Sequence, residues 1–264
     1  MAGLVLAMGA SAGCGQQAAV LPLQDLARQA FGGQFTVRSG GAFGEENTRL
    51  LRQQHDASNW VLRVTYPQGT ASGRADGDGS PRGGAQVYLP LRQAPPTALH
   101  LRYLVRFPAG FDFVKGGKLP GLYGGSVTSG GHIPNGENGF STRFMWRAGG
   151  AGEVYAYLPN SRLHGTSLGR GSWTWPTGRW TCVEQAVRLN TPGRSDGSIV
   201  VWVDGHEALA MSEVTFRSTR RLLIDGLFFS TFFGGGDSSW ATPRRQQVDF
   251  AAFEVGSGRL GCPT

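Results

Sequence analysis

A hydroxyl, a guanidinium and two phenols fall close together at strand-like spacing in the stretch Phe140-Ser-Thr-Arg-Phe-Met-Trp-Arg147, Ala148-Gly-Gly-Ala-Gly152, Glu153-Val-Tyr-Ala-Tyr-Leu158. On the first segment Phe140, Thr142, Phe144 and Trp146 form one side, and Ser141, Arg143, Met145 and Arg147 the other. On the second, Val154, Ala156 and Leu158 oppose Glu153, Tyr155 and Tyr157. This is a β-hairpin, and its apolar sides match only if odd residues pair with odd. We place Arg147 opposite Glu153 and Arg143 opposite Tyr157, so that Ser141, Arg143, Tyr155 and Tyr157 share a polar face. Such a set is unusual on a solvated surface, and a guanidinium beside a hydroxyl can hold an anion. A phenol, with an ordinary pKa of about 10, becomes a better proton-transfer group where nearby cations favour the phenolate.

A cation of a different kind stands apart from the hairpin. The chain has 25 Lys plus Arg, of which 23 are Arg, and the two lysines, Lys115 and Lys118, lie within four residues in Lys115-Gly-Gly-Lys-Leu-Pro-Gly121. An arginine keeps its proton, whereas a desolvated lysine among cations can give its proton up. The glycines and proline around Lys118 suggest a sharply turned approach to the sheet.

The elements that must position these groups are strands. Gly 42 and Pro 14 in 264 residues make the chain turn-rich, and 40% hydrophobic with 16% charged residues is enough to bury a core. Alternation marks strands near Trp60–Tyr66, Leu99–Phe107, Phe140–Arg147, Glu153–Leu158, Trp180–Leu189, Ile199–Val203, Leu222–Phe233 and Gln247–Val255. Leu23, Leu26, Ala27, Ala30 and Phe31, followed by Gly32 and Gly33, read as one short helix. Many strands with no helices between them imply an all-β protein, a two-sheet antiparallel sandwich or jelly roll preceded by that helix. We expect residues 16–264 to be one domain and the protein to be a monomer.

Residues 1–15, apolar and ending Ser11-Ala12-Gly13-Cys14, resemble an export signal, and one of lipoprotein type would place a lipid on Cys14. A secreted or extracellular location is expected. Cys182 and Cys262 then remain, suited to one disulfide or present as two separate thiols. Asp76-Gly-Asp-Gly-Ser80 has Pro81 and Val87 where a calcium loop of the EF-hand kind needs Gly and Glu. It reads as a solvated loop. No run of 18 apolar residues exists, and no nucleophile elbow, zinc spacing, phosphate loop or dinucleotide fingerprint appears. The net charge of +7 favours a polyanionic partner. Scattered arginines in an exported chain argue against nucleic acid.

By its motifs the chain resembles polysaccharide lyase family 14, the alginate and glucuronan lyases built on a β-jelly roll. The resemblance rests on Gly117-Lys-Leu-Pro-Gly-Leu122, the Phe140-Ser-x-Arg-x-x-Trp-Arg hairpin with its Tyr-x-Tyr, Trp180 through Gln185 to Asn190, and Thr231-Phe-Phe-Gly-Gly235. It covers about residues 98–255. The resemblance implies catalytic roles for Lys118, Ser141, Arg143, Tyr155 and Tyr157, and β-elimination from a 4-linked anionic polyuronate with no cofactor and no metal. Arg147, Gln185 and His132 are expected to line the substrate cleft, with Asn190 a further candidate. Trp173 and Trp175 read either as a sugar-stacking platform or as core. The competing readings are a non-catalytic carbohydrate-binding jelly roll and a two-carboxylate hydrolase. For the second, Glu153, Glu184 and Asp204 offer no clear pair.

Overall fold

A computed structural model describes residues 23–53, 56–71, 83–235 and 237–263. The signal-like segment with Cys14 and the stretch Asp76–Ser80 lie outside the described residues. Among the described residues, helix α1 (Leu23–Ala30) precedes fourteen strands. They are β1 (Arg38–Phe43), β2 (Thr48–Gln53), β3 (Asp56–Tyr66), β4 (Ala85–Pro90), β5 (Ala98–Arg106), β6 (Gly116–Gly125) and β7 (Gly139–Arg147), followed by β8 (Gly152–Tyr157), β9 (Thr166–Leu168), β10 (Trp180–Arg188), β11 (Gly197–Val203), β12 (His206–Val214), β13 (Gly226–Phe233) and β14 (Gln246–Gly256).

Two seven-stranded sheets form, in spatial order β1-β4-β13-β6-β7-β8-β9 and β12-β11-β10-β5-β14-β3-β2, and neighbouring strands within each run antiparallel. This is a jelly-roll sandwich with one helix, as the alternation predicts. The sheets close on a single apolar core to which the first contributes Leu89, Leu119, Leu122, Phe144, Trp146, Phe229 and Phe233, and the second Leu62, Val64, Leu101, Tyr103, Val105, Val183 and Phe250. Each such side chain contributes about 1.5–3 kcal/mol by leaving water. Helix α1 caps the core through Ala27, Ala30 and the adjoining Phe31, whose ring meets Phe229 and Phe253 edge-on. Trp173 and Trp175 belong to this core, and Trp175 Nε1 donates to the Met145 carbonyl. That removes them as an open stacking platform.

The eight strands expected from alternation are present. Six others, β1, β2, β4, β6, β9 and β12, lie outside that expectation; β4 does alternate, with Ala85, Val87 and Leu89 in the core, but over only six residues. The most consequential is β6, because the segment read as a turned approach is a strand between β13 and β7, near the centre of the first sheet. Cys182 on β10 and Cys262 in the C-terminal tail are joined as a disulfide, with Cα atoms 5.9 Å apart. No helix among the described residues is long and apolar enough to cross a membrane.

Candidate active site

The hairpin of β7 and β8 is shifted by two residues from the register expected. Ser141 lies opposite Tyr157, Arg143 opposite Tyr155, and Met145 opposite Glu153. The turn is tighter than supposed: Arg147 N donates to the Ala151 carbonyl, and Gly149 and Gly150, at φ of 67° and 81°, close the three residues between. Odd still pairs with odd. Ser141, Arg143, Tyr155 and Tyr157 therefore share the outer face of the first sheet, while Phe144 and Trp146 turn into the core. Arg147 reaches Glu153 along the diagonal, at 2.6 Å.

Lys118 joins this face through an irregularity in β6. Leu119 and Leu122, three residues apart, both point into the core. Strict alternation forbids that. The ladder shows why: Lys118 pairs with Met145, Leu119 with Phe144 and Gly121 with Arg143, leaving Pro120 as an extra, unpaired residue. This β-bulge resets the alternation and turns Lys118 outward beside the hairpin. The bulge is anchored by the opposite sheet, since Tyr103 Oη donates to the Pro120 carbonyl at 3.0 Å. The Lys118 ammonium lies 4.3 Å from the centre of the Tyr155 ring, with Gly234 leaving the space behind it.

A pair of layers can be distinguished. Lys118, Tyr155 and Arg147 are half-buried and reach the surface, whereas Ser141, Arg143 and Tyr157 are buried beneath. Arg143 Nη1 donates to Ser230 Oγ at 3.1 Å, and its Nε has no partner among the described residues. The guanidinium sits over the rings of Phe228 (4.7 Å) and Tyr157 (5.9 Å). The loop 126–138 covers this layer. Ser141 Oγ donates to the Thr128 carbonyl at 2.6 Å, Tyr88 shares a hydrogen bond with the Thr128 hydroxyl, and Gly131 N donates to Tyr157 Oη at 3.1 Å. The Ser141 hydroxyl is thus engaged in holding the loop. Tyr155 and Tyr157 stand edge-on, 5.8 Å apart, and a side chain on Gly165 would collide with both rings.

Burial sets the proton affinities. It is the largest cause holding Lys118 well below the usual lysine range; positive Arg143 and Arg147 act in the same direction, and Glu153 opposes. Burial also pushes the Tyr155 phenol up to about 12, and Tyr157 adds to this. Arg143, Arg147 and the Gly165 N–H pull it back without prevailing. The cations act on Tyr155 in the expected direction but burial outweighs them, so at rest Tyr155 keeps its proton, while Lys118 gives its proton up more readily than an ordinary lysine. Burial lowers Arg143 too, from a value so high that it keeps its charge. Glu153, the acid on this face of the hairpin, is fully taken up by Arg147, Arg170 (2.8 Å) and Ser167 (3.0 Å).

Other expected cleft residues separate. His132 is exposed on the loop 126–138, next to the Gly131 that binds Tyr157, and so stands at the rim. Gln185 does not line the cleft. It points between the sheets with Val183 and Val187, and its amide is consumed by Thr142, accepting from Oγ1 at 2.8 Å and donating to O at 2.9 Å. It supports β7 from behind. Asn190 is also buried away from the face, where its amide accepts from Phe216 N and Arg217 N and donates to the Arg217 and Arg194 carbonyls. Glu153 and Glu184 are on different sheets, and Asp204 is in the turn after β11, so no facing acid pair forms from these three. No group of three His, Cys, Asp or Glu stands together among the described residues. Sequence reasoning missed Tyr88, Phe228, Ser230 and Gln86, which extend the same face across β4 and β13.

Known proteins share this architecture. Residues 54–253 match the model of the family described as Polysaccharide lyase 14. A marine PL-14 alginate lyase from Aplysia kurodai is 32% identical, over 83% of this chain and 90% of its own, with a TM-score of 0.72. An alginate lyase from a Chlorella virus shares the fold at 23% identity and a TM-score of 0.72, over 90% of this chain and 98% of its own. An endo-β-1,4-glucuronan lyase from Trichoderma reesei shares it more loosely, at 12% identity and a TM-score of 0.54, over 86% of this chain and 92% of its own. No curated protein matches. A family match over most of the chain and a relative of this identity together establish that the chain is a polysaccharide lyase of family 14.

Proposed function

We propose that the protein is secreted and cleaves a 1,4-linked polyuronate, alginate or glucuronan, by β-elimination without a metal. The observation that carries this is the half-buried Lys118 amino group held against the Tyr155 ring, in a place where burial, Arg143 and Arg147 disfavour its charge. The C5 proton of a uronate is weakly acidic until its carboxylate is neutralised, and Arg143 supplies that charge from a site already stripped of water. Neutral Lys118 takes the C5 proton as the electrons pass to the carboxylate. They return to form the C4–C5 double bond, the C4–O4 bond breaks, and Tyr155 gives its proton to O4. The product carries a 4,5-unsaturated uronate end. Proton return from the Lys118 ammonium to the adjacent Tyr155 restores both groups. Ser141 and Tyr157 hold the loop 126–138 over the clamp, and Arg147 supports the positive field. The Cys182–Cys262 disulfide supports an oxidising, extracellular setting.

Incubation with alginate and with glucuronan in excess chelator, followed by ultraviolet absorbance of unsaturated ends, tests the reading. Absorbance should grow undiminished by the chelator. Saturated reducing ends alone would overturn elimination, and loss restored by calcium would overturn the metal-free step.

A further inference from the structure

Beyond the reacting groups, one row of residues crosses the first sheet without interruption. Arg38 on β1 pairs with Tyr88 on β4, Tyr88 with Phe228 on β13, Phe228 with Gly121 on β6, and Gly121 with Arg143 on β7. The Tyr88 and Phe228 rings are stacked, 4.2 Å apart and 9° from parallel. A guanidinium caps each end of this pair, Arg38 at 5.2 Å over Tyr88 and Arg143 at 4.7 Å over Phe228. The result is a cation–ring–ring–cation stack lying across the strands. Its members are tied from below as well: Arg143 donates to Ser230, Ser230 to Gln86, and Gln86 to the Gly41 carbonyl on β1.

The two ends differ in what surrounds them. Arg143 is buried, with one bonded nitrogen. Arg38 is exposed; no salt bridge or side-chain hydrogen bond engages it among the described residues, and its charge is felt by Asp225 and Tyr123 from beyond contact distance. An arginine stacked on a ring face keeps its in-plane N–H groups directed outward, in the fork that fits a carboxylate. Strands four steps apart put the two backbones about 19 Å from one another, and the stack brings the guanidiniums closer than that. A linear polyuronate presents one carboxylate per sugar, so a few sugars bridge the gap.

We propose that Arg38, seated on the Tyr88–Phe228 pair, is a distal subsite that binds a second uronate carboxylate of the same chain whose reacting uronate is held by Arg143. This rests on the polyuronate reading above and adds to it a direction, across the strands from β7 towards β1, and a preference for longer chains. Arg143 alone cannot register chain length; two guanidiniums at a fixed separation can.

The test is Arg38→Gln, with Arg38→Lys beside it, assayed on alginate and on its size-fractionated oligosaccharides. A charge-assisted hydrogen bond of the usual strength corresponds to about a tenfold to hundredfold change. The polymer KM should rise by that much in Arg38→Gln with kcat retained, the rise should shrink as the chains shorten, and Arg38→Lys should fall between. A rise independent of chain length, or no rise, overturns the subsite. Affinity is read separately in a Lys118→Met background, where cleavage is blocked, by titrating long oligosaccharides. Weaker binding once Arg38→Gln is added to that background supports the subsite even if the wild type releases no unsaturated ends, a result that would sink the elimination reading alone. Equal binding, including none, overturns the subsite.

Discussion

Replacing Lys118 separates chemistry from architecture in one experiment. The ammonium is crowded: it faces the Tyr155 ring at 4.3 Å, and a Cβ on Gly234 would stand 3.3 Å from Nζ. An arginine there brings a bulkier head that retains its proton, adding an overpacking cost of about 1–3 kcal/mol to the loss of the base. A methionine keeps the length of the chain and removes the charge that burial, Arg143 and Arg147 all disfavour. Both variants should lose about 10²-fold or more in kcat, the value of a positioned proton-transfer group. Their stabilities should move in opposite directions, with Lys118→Met melting above the wild type and Lys118→Arg below it. Lys115 is the internal control. It is exposed, bonds Ser239 Oγ at 2.5 Å and lies over Trp240, contacts that an arginine also makes, so Lys115→Arg should be nearly silent. The assay is initial rate by ultraviolet absorbance, with thermal unfolding of each variant. A Lys118→Met enzyme that keeps its kcat refutes the base assignment, and equal small losses at 115 and 118 refute the special role of this lysine.

Two more outcomes follow from the site and its tail. Since Lys118 must be neutral to accept a proton and its pKa is lowered, kcat should climb as pH rises through a value below the ordinary lysine range. No fall should come until Tyr155 titrates at about 12, and Glu153→Gln, which removes the charge that raises Lys118, should move the climb to lower pH. A rate that instead falls between neutrality and about pH 9, well short of the Tyr155 titration, would contradict this. The disulfide spans 80 residues, which by chain entropy corresponds to about 4.5 kcal/mol; denaturant unfolding with and without reductant should show most of it, and an unchanged midpoint would show that the tail is held by its other contacts, among them the bonds of Glu184 to Leu260 and Gly261 and of Arg259 to Gly205.

How much of this was legible depended on whether a residue's neighbours carried a period. The β7–β8 hairpin alternates cleanly, so its polar face could be read directly, and the resemblance in its motifs led to the same four residues and added Lys118. Its register could not, because Gly149 and Gly150 adopt left-handed conformations that tighten the turn by two residues, and glycine identity alone does not say which turn it will make. Gln185 was placed in the cleft by the resemblance alone, and sequence could not show that its amide finds both partners on Thr142 and can stay inside. The Tyr155 phenol went the other way from expectation since burial, invisible in sequence, outweighs the cations that sequence shows. Strand β6 was hidden by its own composition: Gly-Gly-Lys-Leu-Pro-Gly has neither period nor strand formers, and its place in the sheet comes from the strands on either side.

The bulge at Pro120 also bears on how such a site can change. Residue identity places the lysine in this lyase less than pairing does: absorbing Pro120 into the ladder would leave every functional side chain in the sequence, shift Lys118 from Met145 to Trp146 and turn the ammonium into the core. Proline has no N–H to contribute to the ladder, so the strand gains little by absorbing the extra residue, and Tyr103 from the other sheet occupies the carbonyl that would have to move. Where this strand keeps its one extra residue therefore decides whether the lysine faces the site, and a count of matched side chains does not register it.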